Sequence, residues 1–485
     1  MDEMIIISRL EYEGMKLEIA ELRLLVEQLM AEISLLKGGK DSRTSSLAPS
    51  HDLGRSNRYS LRTPSGKKPG GQPGHCGYTL PLSDTPDEII EHHPVLCSHC
   101  GEDLQMVESS SFTRRQLVDT CTAYKVRGIP PVSPVYIEHR SHLKICPSCR
   151  FQNRGLFPEG LQAPIQYGSR VEAMTGYLSV YQILPHKRIS QLFKDFFGLG
   201  LSAGSVDTFL NNLSEKSTSV YENIRQRIHQ SEVVGSDETG CRVNGKKHWF
   251  HVWQTRLLTF IVSFSSRGHK VIEEYFPGGF IQSFYVSDCW GSQLKVKARA
   301  HQLCMAHLLR ELTNFVENLK SEWSDQMKKL LQCAIELKRK MTENHYLNPP
   351  EELTWLNEEL DKLLQTDYSK FHRKEQAFIK RLKKHRHSIF TFLIHPNLPP
   401  DNNASERAIR NVKVKTKVSG QFRNKDGKGA DRYAKIRSVT SYFVQSTSID
   451  TTIKNGQDVY RVLGTQYKYA ALVRLANGKI IVVPE

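Results

Sequence analysis

A basic stretch late in the chain, residues 400–424, reads PDNNASERAIRNVKVKTKVSGQFRN. Four of its first residues suit a helix N-cap: Asp401, Asn402, Asn403 and Ser405. The pattern predicts a helix that begins here and carries Glu406 in its first turn. From Ser405 to Arg437 there are eleven Lys or Arg and three acids, a net charge of +8 by subtraction. Such a segment favours a phosphate-rich partner, although a solvated basic helix has the same composition.

Two candidate partner acids lie upstream, each at the end of a strand-like run. The run from Glu232 ends at Asp237, with Glu238 beside it, and the run from Phe280 ends at Asp288. Oxygen ligands at the rigid ends of core strands suit divalent cations, and a third acid from a helix would complete a two-metal site. A single Asp after a strand is also a common turn residue, so the hypothesis depends on all three acids together.

Four motifs of the chain resemble the DDE transposases of the bacterial insertion sequence 66 family. They are Asp237-Glu-Thr, Val286-Ser-Asp288-Cys-Trp-Gly, Cys304-Met-Ala-His307-Leu-Leu-Arg310 and Asp401-Asn-Asn-Ala-Ser-Glu406-Arg-Ala-Ile-Arg410. The resemblance extends from the first helix to about Thr447. It implies an RNase H-like core in which Asp237, Asp288 and Glu406 are the catalytic acids.

Length and composition favour a multidomain α+β protein that binds an anionic polymer. The chain has 485 residues and a net charge of +16, and each phosphate it neutralised would release counterions. It contains neither a run of about 18 apolar residues nor a signal-peptide pattern, which predicts no membrane partner. Together with the resemblance, this predicts a bacterial cytoplasmic, nucleoid-associated protein. The ten cysteines then indicate metal binding more than disulfides.

The sequence divides into eight predicted segments. These are a coiled-coil dimerisation helix (1–37), a flexible basic linker (38–78), a zinc-binding β domain (79–160), a helical helix-turn-helix-like DNA-binding domain (161–230), the first part of an RNase H-like α/β catalytic core (231–313), a helical insertion (314–395), the second part of the core with the third acid (396–450) and an unassigned tail (451–485).

The first segment carries a heptad repeat. Its apolar positions are Met15, Ile19, Leu22, Val26, Leu29, Ile33 and Leu36. Since β-branched residues occupy the a positions and Met or Leu the d positions, the pattern predicts a parallel homodimer, or a higher oligomer built on it. The alternative is a helix that packs on its own domain.

Two Cys-x-x-Cys units, Cys97–Cys100 and Cys146–Cys149, are separated by 45 residues. Four thiolates suit tetrahedral Zn²⁺, which would stabilise a small domain with little core of its own. Reduced thiols without a ligand are the alternative, and His99, between the first two cysteines, is expected to point away. Strands are predicted at Ala123–Val126 and Val135–Lys144.

The middle of the chain reads first as helices and then as a sheet. The turn at 198–203 suits a helix-turn-helix with Ser202 or Ser205 as cap, although ordinary core helices are an equal alternative. Strand-like runs follow at Val233, 248–255, 257–265, 280–287 and 299–304, with Asn244-Gly245 as a hairpin turn. Cys304-x-x-His307 is an incomplete zinc ligand set, for which we predict a packing role. A hairpin is predicted at 469–483.

The resemblance implies phosphodiester cleavage and strand transfer at two Mg²⁺ (or Mn²⁺) ions about 4 Å apart. Six basic residues are predicted to contact DNA phosphates: Arg407, Arg410, Lys413, Lys415, Lys417 and Arg423. The expected partners are double-stranded DNA, as element terminal repeats and target, and accessory proteins encoded by the same element. A catalytically silent DNA-binding regulator and an RNase H-like nuclease without integration are the alternative functions.

Overall fold

A computed structural model of the chain describes residues 12–23, 26, 80–120, 134–423, 428–439, 472–474 and 480–482. The chain comprises two units, Met1–Pro69 and Gly70–Glu485. The predicted linker at 38–78 and the predicted strand Ala123–Val126 lie outside the described residues. No helix in the described part is both long and apolar enough to cross a membrane.

The first unit contributes one described helix, α1, at residues 12–23. Its heptad residues Met15, Ile19 and Leu22 are exposed in the single chain, as is Val26. Exposed apolar side chains at this spacing are what a partner helix would cover. The heptad positions after Val26 lie outside the described residues, and the parallel dimer stays a prediction.

The second unit begins with a mixed five-stranded sheet. Its strands are β1 (Glu88–His92), β2 (Ser111–Thr120), β3 (Pro134–Ile145), β4 (Gln152–Arg154) and β5 (Ile165–Tyr167), in the order β1-β3-β2-β5 with β4 on the edge of β3. Strand β3 confirms the predicted Val135–Lys144 strand. At the end of β2, the buried Asp119 carboxylate accepts hydrogen bonds from the N–H groups of Arg170 and Val171, so the sheet caps the helix that follows.

Helices occupy the next segment. They are α2 (Ser169–Gly176), which continues into a π turn at Tyr177–Tyr181, α3 (His186–Phe197), α4 (Ala203–Lys216) and α5 (Thr218–His229). Gly198, with φ 64°, ends α3, and the Ser202 hydroxyl caps α4 by accepting from the Ser205 N–H at 2.9 Å. The cap at Ser202 is confirmed. That this helix-turn-helix-like segment binds DNA stays a prediction.

The second sheet is also mixed and has five strands. They are β6 (Val233–Val243), β7 (Lys246–Gln254), β8 (Thr259–Phe264), β9 (Phe280–Ser287) and β10 (Ala298–Leu303), in the order β10-β9-β6-β7-β8, with α6 (Lys270–Tyr275) between β8 and β9. Strands β6, β7 and β8 are antiparallel, whereas β9 and β10 run parallel to β6. Asn244 and Gly245, with φ of 48° and 81°, form the predicted hairpin turn.

The prediction that the first strand ends at Asp237 was wrong. Strand β6 continues to Val243 because β7 pairs with it from Gly235 to Val243. What ends near Asp237 is the parallel ladder to β9, whose last pair is Gly235 with Val286. Asp237 therefore lies on a rigid strand at the point where one neighbouring strand stops.

The segment between Asp288 and Glu406 is mainly helical. Its helices are α7 (Met305–Leu319), α8 (Glu322–Lys340), α9 (Asn344–Leu347), α10 (Glu351–Gln365) and α11 (Arg373–Lys384). Four of them, α7, α8, α10 and α11, form one hydrophobic cluster with β9 and β10, in which Leu312, Leu331 and Phe378 pack with Phe284 and Leu303. The segment predicted as a helical insertion thus packs against β9 and β10, and its status as an insertion stays a prediction.

Two further helices complete the core, α12 (Asn403–Ser419) and α13 (Gly429–Val439). A second cluster joins α3, α4, the sheet and α12 through Phe193, Leu213, Phe250 and Ile409, so the region predicted as helix-turn-helix shares its core with the second sheet. Strands β11 (Leu472–Arg474) and β12 (Ile480–Val482) pair antiparallel, which confirms the hairpin predicted in the tail.

Candidate active site and metal centres

Asp237 lies on β6, and Asp288 directly follows β9, the neighbouring parallel strand. The ladder pairs Gly235 with Val286, so two residues further along each strand the two acids reach the same level of the sheet. Burial raises the pKa of Asp237 to about 7, and the nearby charges of Glu238 and Asp288 add to the effect. Burial and Glu238 also raise the pKa of Asp288. Two neighbouring carboxylates repel each other when both are ionised, and a bound cation would favour the ionised form of both.

The N-terminus of α12 is fixed directly against β6. Gly235 permits this approach, because a Cβ there would lie 2.8 Å from the Ser405 hydroxyl and 2.9 Å from the Asn402 side-chain oxygen. The Asn402 amide donates to the Ser236 carbonyl at 2.5 Å, and the Ser405 hydroxyl donates to Asn402 at 2.6 Å. Asn402 is the N-cap residue of α12, but its side chain makes no capping hydrogen bond. It bonds instead to Ser236 of β6.

Glu406 lies in the first turn of α12, as predicted. Its Oε1 accepts a hydrogen bond from Arg310 at 2.9 Å and lies 3.5 Å from Nδ1 of His307. Both partners come from α7. Glu406 is therefore held by side chains of α7. In this structure the carboxylate oxygens of Asp237, Asp288 and Glu406 do not all lie within 4.8 Å of one another.

Cys304, His307 and Glu406 do form such a group. However, burial raises the pKa of the Cys304 thiol to about 11, which disfavours the thiolate that zinc requires. The sulfur also accepts the backbone N–H of Asn402 at 3.2 Å. This geometry favours the predicted packing role, in which Cys304 helps to anchor α12.

Glu238 forms a buried ion pair beside the two acids. Arg267 donates to its Oε1 at 2.7 and 2.9 Å, and Gln293 donates to its Oε2 at 2.8 Å. The sequence assigns no role to Glu238, Arg267 or Arg310. Glu238 follows Asp237 and Arg310 lies in a family-like motif, whereas no sequence pattern singles out Arg267.

The six basic residues predicted to contact phosphates have different environments. Arg407, Arg410, Lys417 and Arg423 are exposed, and Lys413 is half-buried and lowers the pKa of Asp237 by its charge. Lys415 is only 8% exposed, and its ammonium donates to the Ser179 carbonyl at 3.3 Å. Burial lowers the pKa of Lys415 to about 8. Its placement favours a role in packing α12 on the π turn.

The four predicted zinc ligands are brought together by the first sheet. Cys97 and Cys149 have their sulfurs 3.5 Å apart, as do Cys100 and Cys146, and all four lie within 4.8 Å of one another. They are free thiols, and these separations are wider than the roughly 2.05 Å of a disulfide. The cluster is compatible with tetrahedral Zn²⁺.

The backbone around the cysteines forms two matching knuckles. The N–H of Gly101 donates to the Cys97 carbonyl, and the N–H of Arg150 donates to the Cys146 carbonyl, both at 2.9 Å. Although burial opposes it, N–H groups of Cys100 and His99 lower the pKa of Cys97 to about 6. The His99 ring stacks on Phe151.

Comparison with known proteins identifies the class. A sequence profile described as transposase IS66 family matches residues 164–430, just over half of the 485 residues. The chain belongs to the IS66 family of transposases, and the predicted resemblance is confirmed. No curated protein matches the chain.

The match includes the three acids but begins after the zinc-ligand candidates, so it does not reach the N-terminal helix as the predicted resemblance did. Family membership supports a transposase-related function, a DDE-type nucleotidyl transferase in general terms, with DNA as a partner and divalent metal use.

Proposed function

We propose that the protein is an insertion-sequence transposase that binds the ends of its DNA element and catalyses metal-dependent cleavage and strand transfer. The observation that carries this proposal is the pair of crowded carboxylates, Asp237 and Asp288, beside the basic helix α12. The family match supports the class of chemistry, and the residue roles given below are our assignment.

Asp237 and Asp288 would hold two Mg²⁺ or Mn²⁺ ions in the second sheet, just past the end of the ladder between β6 and β9. The raised pKa of each carboxyl fits a cation site, because a cation would relieve their mutual repulsion. Such ions supply an activated nucleophile and stabilise the leaving oxygen. Glu406 would complete the set once its carboxylate exchanges Arg310 for metal, and Arg310 would then be available to DNA phosphate.

The exposed Arg407, Arg410, Lys417 and Arg423 would bind DNA backbone phosphates along α12 and the segment after it. These contacts position the duplex without reading its sequence. Among the predicted phosphate contacts, Lys413 is the one whose charge lowers the pKa of Asp237, which suits a phosphate close to the cleaved bond.

The remaining parts of the chain support this role. The four-cysteine module would hold one structural Zn²⁺. Residues 12–36 would form the parallel dimer that brings two element ends together, with accessory proteins of the same element as further partners. A cytoplasmic, nucleoid-associated location follows from the substrate.

The test begins with the inverted repeats that flank the gene, which supply a terminus to use as substrate. Wild-type protein with Mg²⁺ should cleave a duplex carrying this terminus, and Asp237→Asn should cleave at least about 100-fold more slowly while still binding it. Asp325→Asn is the matched control, since Asp325 is an exposed, ion-paired acid of α8 and should cleave normally. Equal rates for all three proteins would contradict the assignment of Asp237.

A further inference from the structure

Trp290 lies next to the candidate active site and is unusually exposed for its size. It follows Asp288 by two residues, and its backbone N–H donates to Oδ1 of Asp288 at 2.9 Å. The residue is 41% exposed. The backbone of Trp290 is thus tied to one of the two acids, and its large aromatic side chain is partly open to solvent.

One face of the Trp290 ring is covered by a cation. The guanidinium of Arg267 lies 3.6 Å from the ring centroid, and the ring of Trp249 lies 4.9 Å from the same guanidinium. Among the described residues, no other aromatic ring or cation stacks on Trp290. Arg267 thus covers one face of an indole that belongs to a residue 41% exposed to solvent.

Arg267 is held in place by a chain of buried polar groups. It pairs with Glu238, whose other oxygen accepts from Gln293. Gln293 accepts from the Tyr285 hydroxyl at 2.7 Å, and that hydroxyl accepts from the indole N–H of Trp253 at 3.2 Å. Glu238, Gln293, Tyr285 and Trp253 are all buried. Buried groups of the second sheet thus fix the Arg267 guanidinium that stacks on Trp290.

The physical chemistry of this arrangement favours a planar ligand. An exposed indole with a guanidinium behind it presents a flat apolar face, and nucleobases stack on such faces whatever their sequence. Enzymes that act on a nucleobase take it out of the duplex stack and hold it between aromatic or apolar side chains, so an unpaired base is a ligand that such a face can accept. Because the backbone N–H of Trp290 donates a hydrogen bond to Asp288, a base on this indole would lie beside the phosphate under attack.

We propose that the exposed indole of Trp290 binds a nucleobase of the DNA end, unpaired from its complement and adjacent to the cleaved phosphate. This inference rests on the proposed function and adds a base-binding residue to it. Arg267 and Glu238 act as positioning residues that keep the indole in place.

A double-mutant cycle tests the proposal, with cleavage of the element end as the readout. The protein is varied at Trp290, and the DNA carries an abasic nucleotide at each position within about four of the cleaved bond in turn. On intact DNA, Trp290→Leu should lower kcat/KM on the order of 5- to 100-fold, the range for loss of one stacked base. At one abasic position, wild type and Trp290→Leu should become nearly equal, because the base that would stack is gone.

Two further variants keep the test decisive. Trp290→Phe retains a flat ring and should keep most of the activity, which shows that the loop still folds. Trp355→Leu is the matched control, because Trp355 is 49% exposed on α10 and should cleave all substrates like wild type.

The outcomes separate this inference from the function on which it rests. A loss in Trp290→Leu of the same size on intact and on every abasic substrate would indicate a structural role and overturn the proposal, as would no loss on any substrate. Wild-type protein that does not cleave the element end would overturn the proposed function, and the base-binding role with it.

Discussion

Replacing Glu406 by Gln removes one negative charge from the first turn of α12 and keeps the size of the side chain. The cost in stability should be small. Glu406 pairs with Arg310, whose side chain is 57% exposed while that of Glu406 is 28% exposed, and exposed pairs contribute about 0 to 1 kcal/mol. The favourable position at a helix N-terminus adds about 0.3 to 1 kcal/mol. The free energy of unfolding should therefore fall by about 1 kcal/mol.

The effect on cleavage should be far larger if Glu406 is a metal ligand. Losing a carboxylate that holds a catalytic metal removes several kcal/mol of transition-state stabilisation, which corresponds to about two to four orders of magnitude in rate. Binding of the DNA end should survive, and it should tighten slightly because a negative charge near phosphate is gone.

Three measurements on each protein distinguish the two roles: cleavage of the element end with Mg²⁺, a binding titration on the same duplex and urea unfolding. Glu311→Gln is the matched control. Glu311 lies on α7 and pairs with Arg381 at 2.6 Å, so the variant loses a similar ion pair and should cleave normally. A Glu406→Gln protein that cleaves at near the wild-type rate would refute the role of the third acid. Equal losses of cleavage rate in Glu406→Gln and Glu311→Gln would show that the rate depends on the ion pairs of α7 and not on metal binding by Glu406.

Elemental analysis should find about one Zn²⁺ per chain, and a Cys97→Ser, Cys146→Ser double variant should lose it; unchanged zinc would contradict the site. Light scattering should show a dimer for the full chain and a monomer after deletion of residues 1–37, if the heptad is the dimer contact. Because burial lowers the pKa of Lys415 from 10.5 to about 8, the unfolded chain holds this proton more tightly, and the contribution of Lys415 to stability should rise with pH between about 8 and 10.5. Lys415→Met should abolish that rise in urea unfolding and stabilise the protein at pH 7 by up to about 3 kcal/mol; an unchanged pH profile would argue against burial of a charged lysine. Arg410→Ala should weaken DNA binding and reduce its salt dependence while bound complexes cleave normally; unchanged salt dependence would remove Arg410 from the phosphate contacts.

The sequence by itself determined the features that depend on local pattern. The Asn244-Gly245 turn was predictable because a two-residue hairpin turn needs positive φ angles, which Asn and Gly adopt more readily than other residues. The strand before Asp288 and the helix that carries Glu406 followed from hydrophobic runs and capping residues. The two cysteine pairs indicated one cluster because metal ligands recur at this short spacing.

Only the tertiary structure decided which neighbours these residues have. Strand pairing, which depends on contacts far apart in sequence, carries β6 past Asp237 to Val243. Lys415 reads as one more cation in a basic run, yet the way α12 packs on the π turn buries it against Ser179. Glu406 contacts Arg310, which lies 96 positions earlier in the chain (406 − 310). Arg267 contacts Trp290, which lies 23 positions later (290 − 267). Local pattern is set by each residue's own conformational preferences, whereas these contacts exist only because the folded sheet and helices bring distant segments to one place.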